Sequence, residues 1–272
     1  MLRTNGLTKE FGGLTAVDSV DFELGDELCS LIGPNGAGKT TFFDLLTGVL
    51  EPTRGSIELQ RDGQWTDVTG ASPDETAAMG IHRSYQITNV FPTLSVLENV
   101  RVAAQAHGDD AATFWRNVNT YDEYVEEAHE VLERVGLADR AEDTAQNLSH
   151  GASRQLEVAV ALAGDPDVLL LDEPNAGVSS ESVDEIVDLI EDVAQDHAVL
   201  LVEHNMDIVM EVSDRVVVLN QGAVIADDEP EAVREDPAVQ EAYLGGYEPG
   251  DLDDRRGDDP ASDGESGSGG IA

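Results

Sequence analysis

Apolar and polar residues alternate along Leu2–Phe11 and again along Ala16–Leu24, with Gly12-Gly13 between them. A period of two marks half-buried strands and paired glycines mark a turn, so this start reads as antiparallel β structure. Leu28–Ile32 is a short, wholly apolar run, which predicts a buried strand. Gly33–Gly38 is glycine-rich, and Thr40–Leu50 reads as a helix ending near Glu51-Pro52. Strand patterning resumes over residues 55–69.

The middle of the chain changes period. Ser95-Val96-Leu97-Glu98 is a capping-box pattern that starts a helix, and Thr120-Tyr121-Asp122-Glu123 repeats it. The second helix would carry Tyr124, Ala128, Val131, Leu132 and Val135 on one face. A further helix follows Ser149. Beyond it, apolar runs alternate with an amphipathic stretch: Val168–Leu171, the helical pattern Ser182–Val193, then Val199–Val202 and Val216–Leu219. Strands alternating with helices predict an α/β fold with a mostly parallel sheet. No internal repeat is present. Residues 248–272 are Asp, Gly, Ser and Pro with almost nothing to bury, and are expected to be disordered.

Charge changes this picture more than composition does. The 272 residues hold 15 Lys+Arg against 56 Asp+Glu, a net charge of −41. The acidic tail carries only −6 of this, so about −35 is spread over the body. Binding nucleic acid through a basic face is excluded as a function class, because phosphate neutralisation needs clustered Lys and Arg. Docking on an anionic lipid surface is disfavoured for the same reason. An acid-rich body with only two lysines, Lys9 and Lys39, is the balance expected of a halophilic protein that works in molar salt. The single cysteine, Cys29, excludes an internal disulfide and reads as a buried small hydrophobe. Met1–Gly6 has no apolar run of the secretory type, and no stretch approaches the ~18–20 apolar residues of a membrane helix. The expectation is a soluble cytoplasmic chain that works at a membrane only through another chain.

Two segments carry chemistry. Gly33-Pro34-Asn35-Gly36-Ala37-Gly38-Lys39-Thr40 fits GxxxxGK[ST] and lies between a strand and a helix, as a phosphate loop must. Its backbone N–H groups and the helix N-terminus favour phosphate. Lys39 can reach the β and γ phosphates, Thr40 can offer its hydroxyl to Mg²⁺, and Thr41 sits beside it. The strand Val168–Leu171 delivers Asp172 and Glu173 at its C-terminal end, where ligand sites of parallel sheets lie. Asp172 suits Mg²⁺, directly or through water, while Glu173 is placed to orient or deprotonate an attacking water. A further apolar strand ends in Glu203-His204, and His204 could bond a γ-phosphate. Ser149 precedes a helix and, with the Gly151 N–H, would make an anion-binding helix start, although a serine there is most often only a cap.

The phosphate loop, Gln86 in Ser84-Tyr85-Gln86, Leu148-Ser149-His150-Gly151, Asp172-Glu173-Pro174 and His204 stand in the order of an ATP-binding cassette ATPase, which the chain resembles to about residue 247. The serine–glycine segment about 20 residues before the carboxylate strand separates that family from other P-loop NTPases. The resemblance implies a P-loop NTPase (RecA-like) core with an antiparallel β subdomain and a helical subdomain over about residues 88–160. It implies ATP and Mg²⁺ as ligands, Glu173 as catalytic base, His204 as γ-phosphate switch, and Gln86 touching Mg²⁺ and linking the site to a membrane partner. Phe11 lies where an aromatic stacks on adenine, the alternative being a core strand residue. The family works as a head-to-tail dimer in which Ser149 and Gly151 complete the site of the opposite subunit.

Two departures stand out. The family's Leu-Ser-Gly-Gly-Gln reads Leu148-Ser149-His150-Gly151-Ala152, and Asn175-Ala176-Gly177-Val178-Ser179 lacks the usual aspartate. Phe11-Gly12-Gly13-Leu14-Thr15-Ala16-Val17, Glu203-His204-Asn205-Met206 and Ala242-Tyr243-Leu244-Gly245 look most like the ATPases of branched-chain amino acid importers; those of urea or amide importers are the nearest alternative. Such an ATPase implies transmembrane permease subunits, a second identical or different ATPase, a solute-binding protein acting indirectly, and a place on the cytoplasmic face of the cell membrane. The rival classes fit less well. A repair ATPase would carry a long coiled coil before Leu148, and no sustained heptads occur there. A translation ATPase would usually hold two cassettes and bind RNA. A kinase or GTPase would leave the serine–glycine segment and His204 unexplained.

Overall fold

The computed structural model describes residues 1–61, 63–84, 90–107, 118–178 and 180–244. The chain opens with β1 (Leu2–Phe11), β2 (Leu14–Leu24), β3 (Leu28–Ile32) and α1 (Lys39–Leu46). The hairpin β4 (Arg54–Arg61) and β5 (Gln64–Asp67) follows, then α2 (Pro73–Ala78) and β6 (Ile81–Ser84). Three helices come next: α3 (Val96–His107), α4 (Val118–Arg134) and α5 (His150–Leu162). The remainder alternates: β7 (Val168–Asp172), α6 (Ser180–Val193), β8 (Ala198–Val202), α7 (Met206–Val212), β9 (Arg215–Asn220), β10 (Ala223–Asp228), α8 (Pro230–Glu235) and α9 (Pro237–Leu244).

Two sheets result. One is antiparallel with strand order β2-β1-β4-β5. The other runs β10-β9-β3-β8-β7-β6, parallel from β9 to β6, with β10 an antiparallel edge. Strands β3, β7 and β8 are buried along their whole length, which is why they read as continuous apolar runs rather than alternations. Their side chains still divide by parity. Leu28, Leu169, Leu171, Val199 and Leu201 pack with α3, α4, α5 and α6. Cys29, Leu31, Val168, Leu170, Leu200 and Val202 pack with Phe42 and Phe43 of α1 and with the antiparallel sheet. The sheet is thus the partition between two apolar layers, and its C-terminal edge is held rigidly from both sides.

Helix boundaries differ from the sequence pattern in places. α1 stops at Leu46 rather than Leu50. Gly48 adopts φ +71°, and a Cβ there would lie 2.1 Å from the Ala71 carbonyl oxygen, so the chain leaves the helix on the left-handed residue that glycine alone tolerates. Residues 118–120 are already helical, which puts Thr120 inside α4 rather than at its cap. The Ser95 cap is present, its Oγ accepting from the Glu98 N–H at 3.1 Å. A capping box that sequence reading passed over closes the start of α2, where the Glu75 carboxylate accepts from the Ser72 N–H at 2.8 Å. β6, α7, β10, α8 and α9 also lie outside the predicted set. No helix among the described residues is long and apolar enough to cross a membrane.

Candidate active site

Three chain turns converge at the C-terminal edge of the parallel strands. The first is the phosphate loop between β3 and α1. Gly38 caps α1 with φ +108°, and a Cβ on it would lie 2.3 Å from the Ala16 carbonyl oxygen, so glycine is required by both conformation and space. The loop can therefore lie directly against β2. Lys39, buried at the first turn of α1, donates from Nζ to the Gly33 carbonyl at 2.6 Å and to that of Pro34 at 3.3 Å. Burial pulls the Lys39 pKa below its ordinary value, while the nearby Glu173 and Asp172 carboxylates oppose the shift.

The second turn follows β7. Asp172 is 8 % exposed, and its Oδ2 accepts from Arg83 Nη2 at 2.5 Å. Arg83, on β6, also donates from Nη1 to Asp44 of α1 at 2.7 Å. Burial works against the Arg83 charge, but its bonds to Asp44 and Asp172 outweigh it and raise its pKa. This buried cation joins β6, β7 and the phosphate-loop helix. Glu173 sits at φ +49°, a conformation that costs a non-glycine residue on the order of 1 kcal/mol and recurs at functional sites. Its N–H donates to the Val202 carbonyl at 2.8 Å, which fixes where the side chain starts.

The third turn follows β8. His204 Nε2 is hydrogen-bonded to Glu173 Oε1. A carboxylate can only accept, so the imidazole carries its proton on that nitrogen. Sheet register brings the two turns together: Asp172 pairs with Val202 across β7 and β8, so Glu173 and Glu203 leave the strands at matching positions and His204 follows one residue later.

A cleft of about 690 Å³ is lined by Phe11, Leu14, Thr15, Ala16, residues 35–41, Glu173, Val202, His204 and Gln221. The structure thus gathers Phe11, the phosphate loop, Glu173 and His204 at one hollow. Phe11 is 45 % exposed, not a core residue, with Lys9 Nζ 5.2 Å from its ring centroid. Asp172 does not line the cleft, but its carboxylate is near enough to Lys39 to act on its charge. Ser149 and Gly151 are elsewhere: Ser149 caps α5, its Oγ accepting from the Ala152 N–H at 3.3 Å, and it borders a different hollow with Arg134, Gln155 and Asp188. One chain alone does not bring them to the phosphate loop. Gln86 lies outside the described residues, as does the 248–272 tail.

The donor set fits Mg²⁺. Asp172 supplies a carboxylate and Thr40 an exposed hydroxyl, and no cluster of three His, Cys, Asp or Glu among the described residues could hold a metal by itself. Mg²⁺ is characteristically held in this way, by one or two protein oxygens together with substrate phosphates. Arg83 was missed as a site residue in the sequence, where it stands between the polar His82 and Ser84; Glu203 was passed over too, its only signal being a charge directly after an apolar run.

A phosphate loop beside a strand-end carboxylate pair and a histidine defines a nucleoside triphosphatase. Comparison with known proteins narrows the class. The ABC transporter family profile matches residues 17–176, and that of the branched-chain amino acid ATP-binding cassette transporter matches residues 223–249. The chain is 41% identical over 254 residues to the high-affinity branched-chain amino acid transport ATP-binding protein LivG of Escherichia coli strain K12, covering 90% of this chain and 98% of that protein. Against BraF of Pseudomonas aeruginosa, likewise a high-affinity branched-chain amino acid transport ATP-binding protein, it is 40% identical over 256 residues, with coverage of 90% and 98%. Among solved structures, the ADP conformation of MJ1267, an ATP-binding cassette of an ABC transporter, superposes with a TM-score of 0.76 at 28% identity, covering 90% of this chain and 98% of that one. This chain belongs to the ABC transporter family, as an ATP-hydrolysing subunit.

Proposed function

We propose that this ATPase powers a branched-chain amino acid importer from the cytoplasmic face of the membrane. The observation that carries the reading is identity of 40% or more, across about 90% of the chain, to proteins named for that transport. Two ATPase chains, identical or closely related, bind two ATP between them. Each nucleotide is held by Lys39, Thr40 and the loop amides of one copy, with Phe11 against the adenine, and is closed over by Ser149 and Gly151 of the other. The separation of Ser149 from the cleft within one chain supports this division.

Glu173 orients or deprotonates the water for in-line attack on the γ-phosphate, and His204 bonds the γ-phosphate and senses its loss. Lys39 and the loop N–H groups stabilise the charge that develops on the transferred group. When bound by Thr40, Asp172 and Gln86, Mg²⁺ supplies neutralisation of the phosphate oxygens. Residues 88–160 form the helical subdomain that docks on two transmembrane permease subunits, within a catalytic unit spanning residues 1–247. A solute-binding protein meets the permeases, not this chain.

Two measurements test this. Glu173→Gln should bind ATP and lose hydrolysis by about 10²–10⁴-fold, the range for general-base work, whereas Lys39→Ala should lose nucleotide affinity as well. Wild-type turnover in Glu173→Gln would remove its assigned role. Tagged protein drawn from detergent-extracted membranes in molar KCl should bring two polytopic membrane proteins, and the co-purified solute receptor should bind leucine, isoleucine or valine. A receptor that instead binds urea would redirect the solute assignment, and soluble partners alone would end the transporter reading.

A further inference from the structure

The residue before His204 is a buried carboxylate that the mechanism above does not use. Glu203 is 5 % exposed and follows directly on β8. Its two oxygens face two different loops. Oε1 accepts from the Asn175 N–H at 3.2 Å, in the loop that carries Glu173. Oε2 accepts from the His204 N–H at 3.0 Å and makes a long contact with the Asn205 N–H at 3.5 Å, in the loop that carries His204. The same two loops meet at the Glu173 N–H to Val202 carbonyl bond and at the Glu173–His204 side-chain bond. The result is a closed ring: Glu173 to His204 through side chains, His204 to Glu203 through the backbone, Glu203 to Asn175 through its carboxylate, and back along two residues to Glu173.

We propose that Glu203 is a positioning residue for hydrolysis, setting the spacing of Glu173 and His204 by clasping the backbone of both loops. The chemistry calls for a carboxylate. It is acceptor-only on both oxygens, so it can serve N–H donors on both sides at once. The bonds are charge-assisted, and the buried setting strengthens them. A glutamine of the same length has one acceptor and turns its NH₂ group towards one of the two loops, donor against donor. Glu203 touches neither the phosphate loop nor Lys39 by any of these bonds, so its loss should leave nucleotide affinity alone and act on the chemical step. The inference rests on the roles proposed above for Glu173 and His204.

The test compares the full-length chain in molar KCl as wild type, Glu203→Gln, His204→Ala, Glu173→Gln and the double variant Glu203→Gln/His204→Ala. Readouts are kcat and KM for ATP, binding of the fluorescent analogue TNP-ATP, and the thermal unfolding midpoint. Misplacing a reacting group by about 1 Å costs on the order of 10²-fold, so Glu203→Gln should lower kcat by about 10- to 100-fold. Its KM and TNP-ATP affinity should stay within about twofold of wild type. In the His204→Ala background, the same change should cost much less, because one of the two groups it positions is gone. Wild-type kcat in Glu203→Gln overturns the proposal. So does a full, additive loss in the His204→Ala background, or a parallel loss of nucleotide affinity or of the folded state, since each marks a merely structural residue. If Glu173→Gln and His204→Ala themselves turn over normally, the roles of those residues fail and this inference fails with them. If they lose turnover and Glu203→Gln does not, this inference alone fails.

Discussion

Gly38 and Cys29 show how much a single position can be constrained. Gly38 combines φ +108° with a backbone oxygen where a Cβ would stand. Relaxing an alanine there requires shifting β2 or the loop, so Gly38→Ala should cost at least the ~1–3 kcal/mol of a strained backbone position. It should lower the unfolding midpoint and abolish TNP-ATP binding together; unchanged binding would show that the loop has slack. Cys29 sits on β3, between β9 and β8 of the parallel sheet, and is fully buried. Burial pushes its thiol up to about 12. At pH 8 that leaves about one thiol in ten thousand as the reactive thiolate. Iodoacetamide should therefore leave the native protein unlabelled for hours and label it within minutes once unfolded, as read by intact mass. Prompt native labelling would contradict the buried position.

At the scale of elements, neighbouring segments are tied together by arginines that each serve two carboxylates. Arg134, at the end of α4, donates to Asp192 at 2.7 Å and to Asp196 at 2.6 Å, past the end of α6. The bond from Arg134 holds the Asp196 carboxyl below the usual carboxylate value. A folded-state pKa below the unfolded one means the pair stabilises the fold above about pH 4. That contribution disappears as the pH falls through the depressed value. Asp196 is more than half exposed, so the contribution belongs to the ~0–1 kcal/mol range of exposed pairs and shrinks with salt. Asp196→Asn should lower the denaturation midpoint slightly at pH 7, and the gap from wild type should close as the pH falls below the ordinary carboxylate value and through the depressed one. A gap that widens with acid would reverse the sign of this reading. The register of β7 against β8 is the other decision made at this scale. It pairs Asp172 with Val202 and thereby brings the Glu173 turn alongside the Glu203-His204 turn; a slip of one residue would turn the side chains of one strand to the opposite face and break that match.

Over the whole molecule, the charge of −41 is the dominant fact. Arg83, Arg134 and Arg215 each hold two carboxylates, yet 15 cationic side chains cannot neutralise 56 acids. Self-repulsion then opposes the compact state unless salt screens it, and at 1 M the screening length falls to about 3 Å. The unfolding temperature should rise steadily with KCl, and the native circular dichroism signal should be lost in dilute buffer. A full native signal without added KCl would refute the halophilic reading.

The chemistry that could be read in advance is the chemistry written in contiguous residues. Residues 33–40 declare a phosphate loop because turn glycines, lysine and hydroxyl must be adjacent to wrap a phosphate. The apolar runs at Val168 and Val199 declare buried parallel strands, because a strand covered on both faces admits no polar alternation. While Phe11 was named only through the family resemblance, the α/β core followed from these segments. The helix ends, the clasp of Glu203 on Asn175 and the bridge of Arg83 from Asp44 to Asp172 did not. Those contacts join residues 28, 39 and 89 positions apart. Nothing local distinguishes a buried, partnered charge from a solvated one. The partner appears only when strand order and register bring distant turns to one edge of the sheet, and packing of both apolar layers then leaves those side chains no water to turn to.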